Sequence, residues 1–142
     1  LKVQLTPQRA AVLPMEQAQE AIAIPASRVT PMPNMPECVL GLLNHKSRVL
    51  WVIDLAQLLG LQTQALTMQQ YNIAIIRIGK KPLGLVVPEI KGIVRFTNET
   101  MISPIGEVSP ELTPYLRGCF IQDQETLWVL DPEAIIHSPI VV

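Results

Sequence analysis

Residues 40–59 read LGLLNHKSRVLWVIDLAQLL, and residues 117–136 read RGCFIQDQETLWVLDPEAII. The two stretches align without a gap. Gly41, Leu50, Trp51, Val52 and Asp54 meet Gly118, Leu127, Trp128, Val129 and Asp131. Apolar character is also kept at Leu42/Cys119, Leu43/Phe120, Ile53/Leu130, Leu58/Ile135 and Leu59/Ile136. The chain has two tryptophans, and both fall in the same slot of the match. Five identities in an apolar stretch carry little weight alone, so the gap-free register and the paired Trp decide. One internal repeat of this kind marks two related lobes rather than a long solenoid.

Around the repeat lie short β-branched runs at 47–55 (SRVLWVIDL), 71–78 (YNIAIIRI), 82–87 (PLGLVV), 92–96 (GIVRF) and 126–130 (TLWVL). Each reads as a strand, and several are apolar at nearly every position, which predicts cover on both faces. Residues 79–82 (GKKP) read as a hairpin loop of about four residues. Residues 62–70 read as a polar connector. Thirteen prolines, dense in the first third and again at 104–114, exclude long helices there. Short helices are expected at 56–59, at 132–137 after the Asp131-Pro132 start signal, and across 15–21. The sum is an all-β chain, and the repeat divides it into two barrels.

At 142 residues, with 49% hydrophobic and 16% charged residues, the chain is globular and buries roughly 68–70% of its unfolded surface. Net charge is −1, and Lys80-Lys81 is the one adjacent basic pair. That balance argues against nucleic acid as a partner. Cys38 and Cys119 stand in apolar surroundings without a CxxC pattern, as buried thiols in a reducing compartment do. No apolar run is long enough to span a membrane, and the first residues lack the apolar core of a signal peptide, so a cytoplasmic protein is expected.

Catalytic patterns do not assemble. His45 and His137 are isolated from each other, with no metal-ligand spacing. Ser47 lies in no nucleophile elbow, and no glycine-rich phosphate cradle exists. Neither a metal nor a cofactor is expected. Asp54 and Asp131 close the two matching strands, where a short acid caps the following turn or helix. The remaining route to function is a surface: a sheet edge, or a groove between lobes.

The order of these motifs resembles the CheW-like family of chemotaxis coupling proteins. The resemblance rests on the proline-rich entry Val29-Thr30-Pro31-Met32-Pro33-Asn34-Met35-Pro36, then Val39-Leu40-Gly41-Leu42-Leu43-Asn44, then Arg48-Val49-Leu50-Trp51-Val52-Ile53-Asp54-Leu55. Downstream, Leu83-Gly84-Leu85-Val86-Val87 with Ile90 and Ile93-Val94, and then Tyr115-Leu116-Arg117-Gly118 and Leu127-Trp128-Val129-Leu130-Asp131, continue it over about residues 12–136.

The resemblance implies two five-stranded SH3-like barrels packed about a shared core. Lobe one would take about 11–66, and lobe two about 67–139 with the first strand. It implies a non-enzymatic adaptor that couples a methyl-accepting chemoreceptor's signalling tip to the regulatory domain of a CheA-type histidine kinase. It implies no direct membrane insertion. The alternative is a CheW-like module acting in type IV pilus or phototaxis control, outside a standard kinase array. A small-molecule-binding or catalytic barrel is a third reading without a convergent polar set behind it.

By the same resemblance Met15, Ala18 and Glu20 would line one wall of a receptor groove, and Val87, Ile90 and Ile93 the other. Met15, Val87, Ile90 and Ile93 fit core positions equally well. Lys46 falls where the family carries an arginine, as a partner-binding loop residue. Gly41, Asn44, Asp54, Gly84, Gly118 and Asp131 would be structural. The family's Asn-Leu-Arg-Gly turn is here Asn44-His45-Lys46-Ser47. Lysine keeps the charge without the planar fork. Serine for glycine predicts a different turn type or a negative φ.

Overall fold

The computed structural model describes residues 1–18, 20–61, 67–95, 101–102, 110 and 112–138. Its strands are β1 (Lys2–Thr6), β2 (Arg9–Val12), β3 (Glu20–Pro25), β4 (Val39–His45) and β5 (Arg48–Asp54), followed by β6 (Gln70–Ile78), β7 (Lys81–Val87), β8 (Glu89–Gly92), β9 (Leu116–Gln122) and β10 (Glu125–Leu130). Two short helices, α1 (Leu55–Leu58) and α2 (Pro132–Ile136), follow β5 and β10. The strands form two five-stranded sheets, ordered β3-β6-β7-β5-β4 and β8-β1-β2-β10-β9. The orders are equivalent strand for strand. In each, one parallel pair, β5/β7 or β2/β10, interrupts antiparallel neighbours.

The repeat is visible in single hydrogen bonds. Asp54 N–H donates to the Cys38 carbonyl at 2.7 Å, and Asp131 N–H to the Tyr115 carbonyl at 2.8 Å. Both pairs are separated by the repeat's own offset. Leu42 N–H reaches the Thr30 carbonyl, and its counterpart Cys119 N–H the Ile102 carbonyl. Both bridges fold a neighbouring segment tightly over a glycine. Gly41 has φ of +146°, and an added Cβ would collide with the Thr30 carbonyl; at Gly118 it would strike the Met101 side chain at 2.6 Å. Gly84 sits where Ile73 and Leu50 close in on the backbone at 3.1 Å.

The near-continuous apolar strands are explained by three cores. Leu43, Leu50, Val52, Ile73, Ile75 and Val86 fill the interior of one lobe. Ala10, Val12, Phe120, Leu127 and Val129 fill the other. The opposite strand faces, including Ile53, Ala74, Ile76, Leu83, Leu85, Val87, Val3, Leu5, Trp128 and Leu130, pack into one shared core with α1 and α2 residues Leu55, Ile135 and Ile136. Each large side chain buried there contributes about 1.5–3 kcal/mol, so separating the lobes would be costly. Asp54 caps α1 by accepting from Gln57 N–H, and Asp131 caps α2 by accepting from Glu133 and Ala134 N–H.

Several sequence expectations differ from the structure. The lobe boundary falls elsewhere: β6 and β7 belong with β3–β5, so lobe one is the β3–β7 sheet, and lobe two joins β1 and β2 to β8–β10. The expected helix across 15–21 is a single turn, closed by Ala18 N–H on the Pro14 carbonyl, before β3 begins at Glu20. Ile22 and Ile24 alternate with polar or small neighbours and pair with β6, and this ladder prevails over helix formation. The strand expected at 92–96 ends at Gly92 instead, with Phe96 outside the described residues. The 79–82 loop has two residues, because Lys81 and Pro82 already pair with Ile78 and Arg77. Pro82 is tolerated there because the parallel pairing to β5 begins only at Gly84. Most of the 62–70 connector lies outside the described residues.

Candidate partner-binding surface

The β4–β5 turn joins Val39–His45 to Arg48–Asp54. Lys46 and Ser47, its two central residues, have φ of +50° and +63°. Positive φ at both positions is the signature of a type I′ hairpin turn, whose twist suits the flanking strands. The expected change of turn or negative φ at Ser47 is therefore corrected: the left-handed conformation is retained without glycine. Asp123 and Gln124, the counterparts in lobe two, adopt φ of +52° and +65°. Hairpin twist outweighs local preference at both sites.

This turn delivers Lys46 to Glu20. Glu20 Oε2 accepts from Lys46 Nζ at 2.8 Å and from His45 Nε2 at 2.9 Å, while Arg77 Nη2 stands 3.9 Å from Oε1. The bonds from Lys46 and His45 hold the Glu20 carboxyl down at about 2. Glu20 opens β3 and Lys46 follows β4, the two edge strands of lobe one, so the cluster spans the barrel seam. Further along, Arg28 Nη2 donates to the Asn44 carbonyl at 3.5 Å. Glu20 and Lys46, expected separately from the sequence, are thus brought together in one cluster. His45 and Arg77 belong to it and were not anticipated. The signal for His45 was its place beside Lys46 in the altered turn; nothing local pointed to Arg77.

The apolar groove candidates divide. Val87 is fully buried and Ala18 nearly so, both inside the shared core, and neither offers a surface to a partner. Their strand and turn face inward, which an all-apolar run cannot reveal. Ile90 is half-buried against that core opposite Val3. Met15 is exposed, and Ile93 is 69% exposed. The tryptophans also divide. Trp128 is 5% exposed with the Arg9 guanidinium 4.6 Å above its ring, whereas Trp51 is 37% exposed beside Val49, at 64%. Cys38 and Cys119 are both buried, and burial pushes the Cys38 thiol up. Among the described residues no group of three or more His, Cys, Asp or Glu gathers as a metal site. No described helix is long and apolar enough to cross a membrane.

Two five-stranded sheets of equivalent strand order, one of them carrying the Glu20–Lys46 contact at its seam, define a duplicated all-β class of protein. The sequence matches the CheW-like domain family over residues 1–139, and the chain belongs to that family of chemotaxis scaffold proteins. It is similar to "Probable chemotaxis protein CheW" of Rhizobium etli, 32% identical over 110 residues that cover 77% of this chain and 70% of that protein. It is similar to "Protein PilI" of Pseudomonas aeruginosa, 28% identical over 87% of this chain and 67% of that one. The crystal structure of scaffolding protein TtCheW from Thermoanaerobacter tengcongensis superposes with a TM-score of 0.78 at 19% identity, covering 92% of this chain and 86% of that chain. The two curled sheets are SH3-like barrels of that kind.

Proposed function

We propose that this chain is a non-enzymatic adaptor that couples the signalling tip of a methyl-accepting chemoreceptor to the regulatory domain of a CheA-type histidine kinase. Family membership across residues 1–139 carries the proposal. The structure adds physical support: the two lobes share one core, so their surfaces are held together on a single packed body. On this reading the accessible candidates Met15, Ile90 and Ile93 face the receptor. Glu20 and Lys46 act together, as an ion-paired unit at the seam of lobe one. Val87 and Ala18 support that surface from beneath. Recruitment to a membrane array runs through these partners.

The test is kinase autophosphorylation in a reconstituted receptor–kinase mixture. Addition of the chain should raise receptor-controlled phosphorylation, and receptor ligand should change it. Phosphorylation that is indifferent to the chain, with all components folded, would remove the coupling role. A second reading, a module working outside a standard kinase array, is favoured by the substituted turn, where Lys46 and Ser47 replace the family's arginine and glycine. It predicts binding to a CheW-like partner without kinase activation.

A further inference from the structure

The near-neutral composition hides a concentration of positive charge at one end of lobe one. β5 and β7 are parallel, with Val52 opposite Gly84, so Arg48 and Lys81 open neighbouring strands at the same end. The β4–β5 and β6–β7 turns therefore stand side by side, one strand spacing of about 5 Å apart. Lys46, Arg48, Arg77, Lys80 and Lys81, five of the chain's eleven Lys and Arg residues, fall here with His45.

Glu20 engages Lys46, His45 and Arg77. Glu16 flanks this end, next to Gln17, whose carbonyl accepts from Arg77 N–H. Arg48, Lys80 and Lys81 are exposed and carry no ion pair among the described residues. The fold does not require this charge. In lobe two the counterpart turn places Asp123, Gln124 and Glu125 where lobe one has Lys46, Ser47 and Arg48.

Beyond Arg48 on β5 come the exposed Val49 and Trp51, with half-buried Leu42 opposite Trp51. Apolar ground beside arginine and tryptophan is the composition of a protein-docking surface. Glu20 is a point of negative charge within this cationic end, so the potential there is not uniform. A protein face can set its carboxylates around that point.

We propose that this end of lobe one docks a carboxylate-rich face of a protein partner, with Arg48, Lys80 and Lys81 as the free cations and Val49 and Trp51 as the apolar ground beside them. The proposal rests on the adaptor reading above and names the chemistry of one partner's contact face.

Binding of wild type and of the triple variant R48E/K80E/K81E is measured by calorimetry against two probes, a receptor signalling-tip fragment and the kinase regulatory domain. Circular dichroism melts verify folding, and R48Q/K80Q/K81Q replaces the triple variant if it is unstable. The expected result is a loss of about tenfold or more for at least one probe, with a shallower salt dependence. Unchanged affinities for both probes overturn the patch and leave the adaptor reading intact. Wild type binding neither probe overturns the adaptor reading, and the proposal with it. Sedimentation with phosphatidylserine vesicles that the triple variant abolishes, alongside unchanged protein affinities, would assign the patch to a lipid surface and overturn it too.

Discussion

Glu20 Oε2 lies 2.8 Å from Lys46 Nζ, and this contact joins β3 to the turn after β4 across a seam where those two edge strands share no backbone ladder. His45 adds a second donor to the same oxygen at 2.9 Å. These side-chain contacts link two strands that no ladder joins directly.

The seam makes the acid limb of the stability profile depend on Glu20. Its folded value, about 2, lies below the ordinary 4.5. A depressed carboxyl stabilises the fold fully above its unfolded value, and the contribution is lost as pH falls from 4.5 through about 2. The site is partly open to solvent, so Glu20→Gln should cost about 1 kcal/mol near neutral pH. The difference from wild type should vanish toward pH 2 in denaturant titrations. A constant difference at every pH would mean that packing, not charge, is lost.

Ser47 is held at φ of +63°. A left-handed conformation costs a residue with a Cβ roughly 1 kcal/mol, and glycine escapes most of that. Ser47→Gly should therefore stabilise the chain by about 0.5–1 kcal/mol, read as a raised melting temperature. A lowered one would show that the serine hydroxyl compensates for the strain.

Gly41→Ala should be among the most damaging small substitutions, because its new methyl meets the Thr30 carbonyl and the backbone stands at φ of +146°. A loss of about 2 kcal/mol or more is expected in chemical denaturation. A loss under half of that would show that the Thr30 segment moves aside freely.

Val87 and Ile93 separate core from surface within the groove candidates. Val87→Asp places a charge in the shared core and should abolish folding. Ile93→Asp should leave the melting temperature within a few degrees of wild type and weaken receptor binding about tenfold, as loss of an exposed apolar contact does. Unchanged receptor affinity would remove Ile93 from the groove.

Much of the architecture was legible because the repeat carries backbone geometry with it: Gly41 and Gly118 mark the close approaches, Asp54 and Asp131 the caps. β3 and the lobe boundary were not legible. Glu20–Pro25 gains its strand identity from β6, about fifty residues away, and pairing at that distance leaves no local pattern. The site was half legible. The family resemblance marked Glu20 and Lys46, but their contact needed the seam. The inward faces of Val87 and Ala18 could not be told from outward ones in segments that are apolar throughout.

Coupling to a kinase is decided by calorimetric titration of this chain into the regulatory domain of the CheA-type kinase from the same organism. Saturable one-to-one binding is expected, with Kd in the micromolar range, about −8 kcal/mol. No detectable heat at any temperature tried, with both proteins shown to be folded, would contradict it.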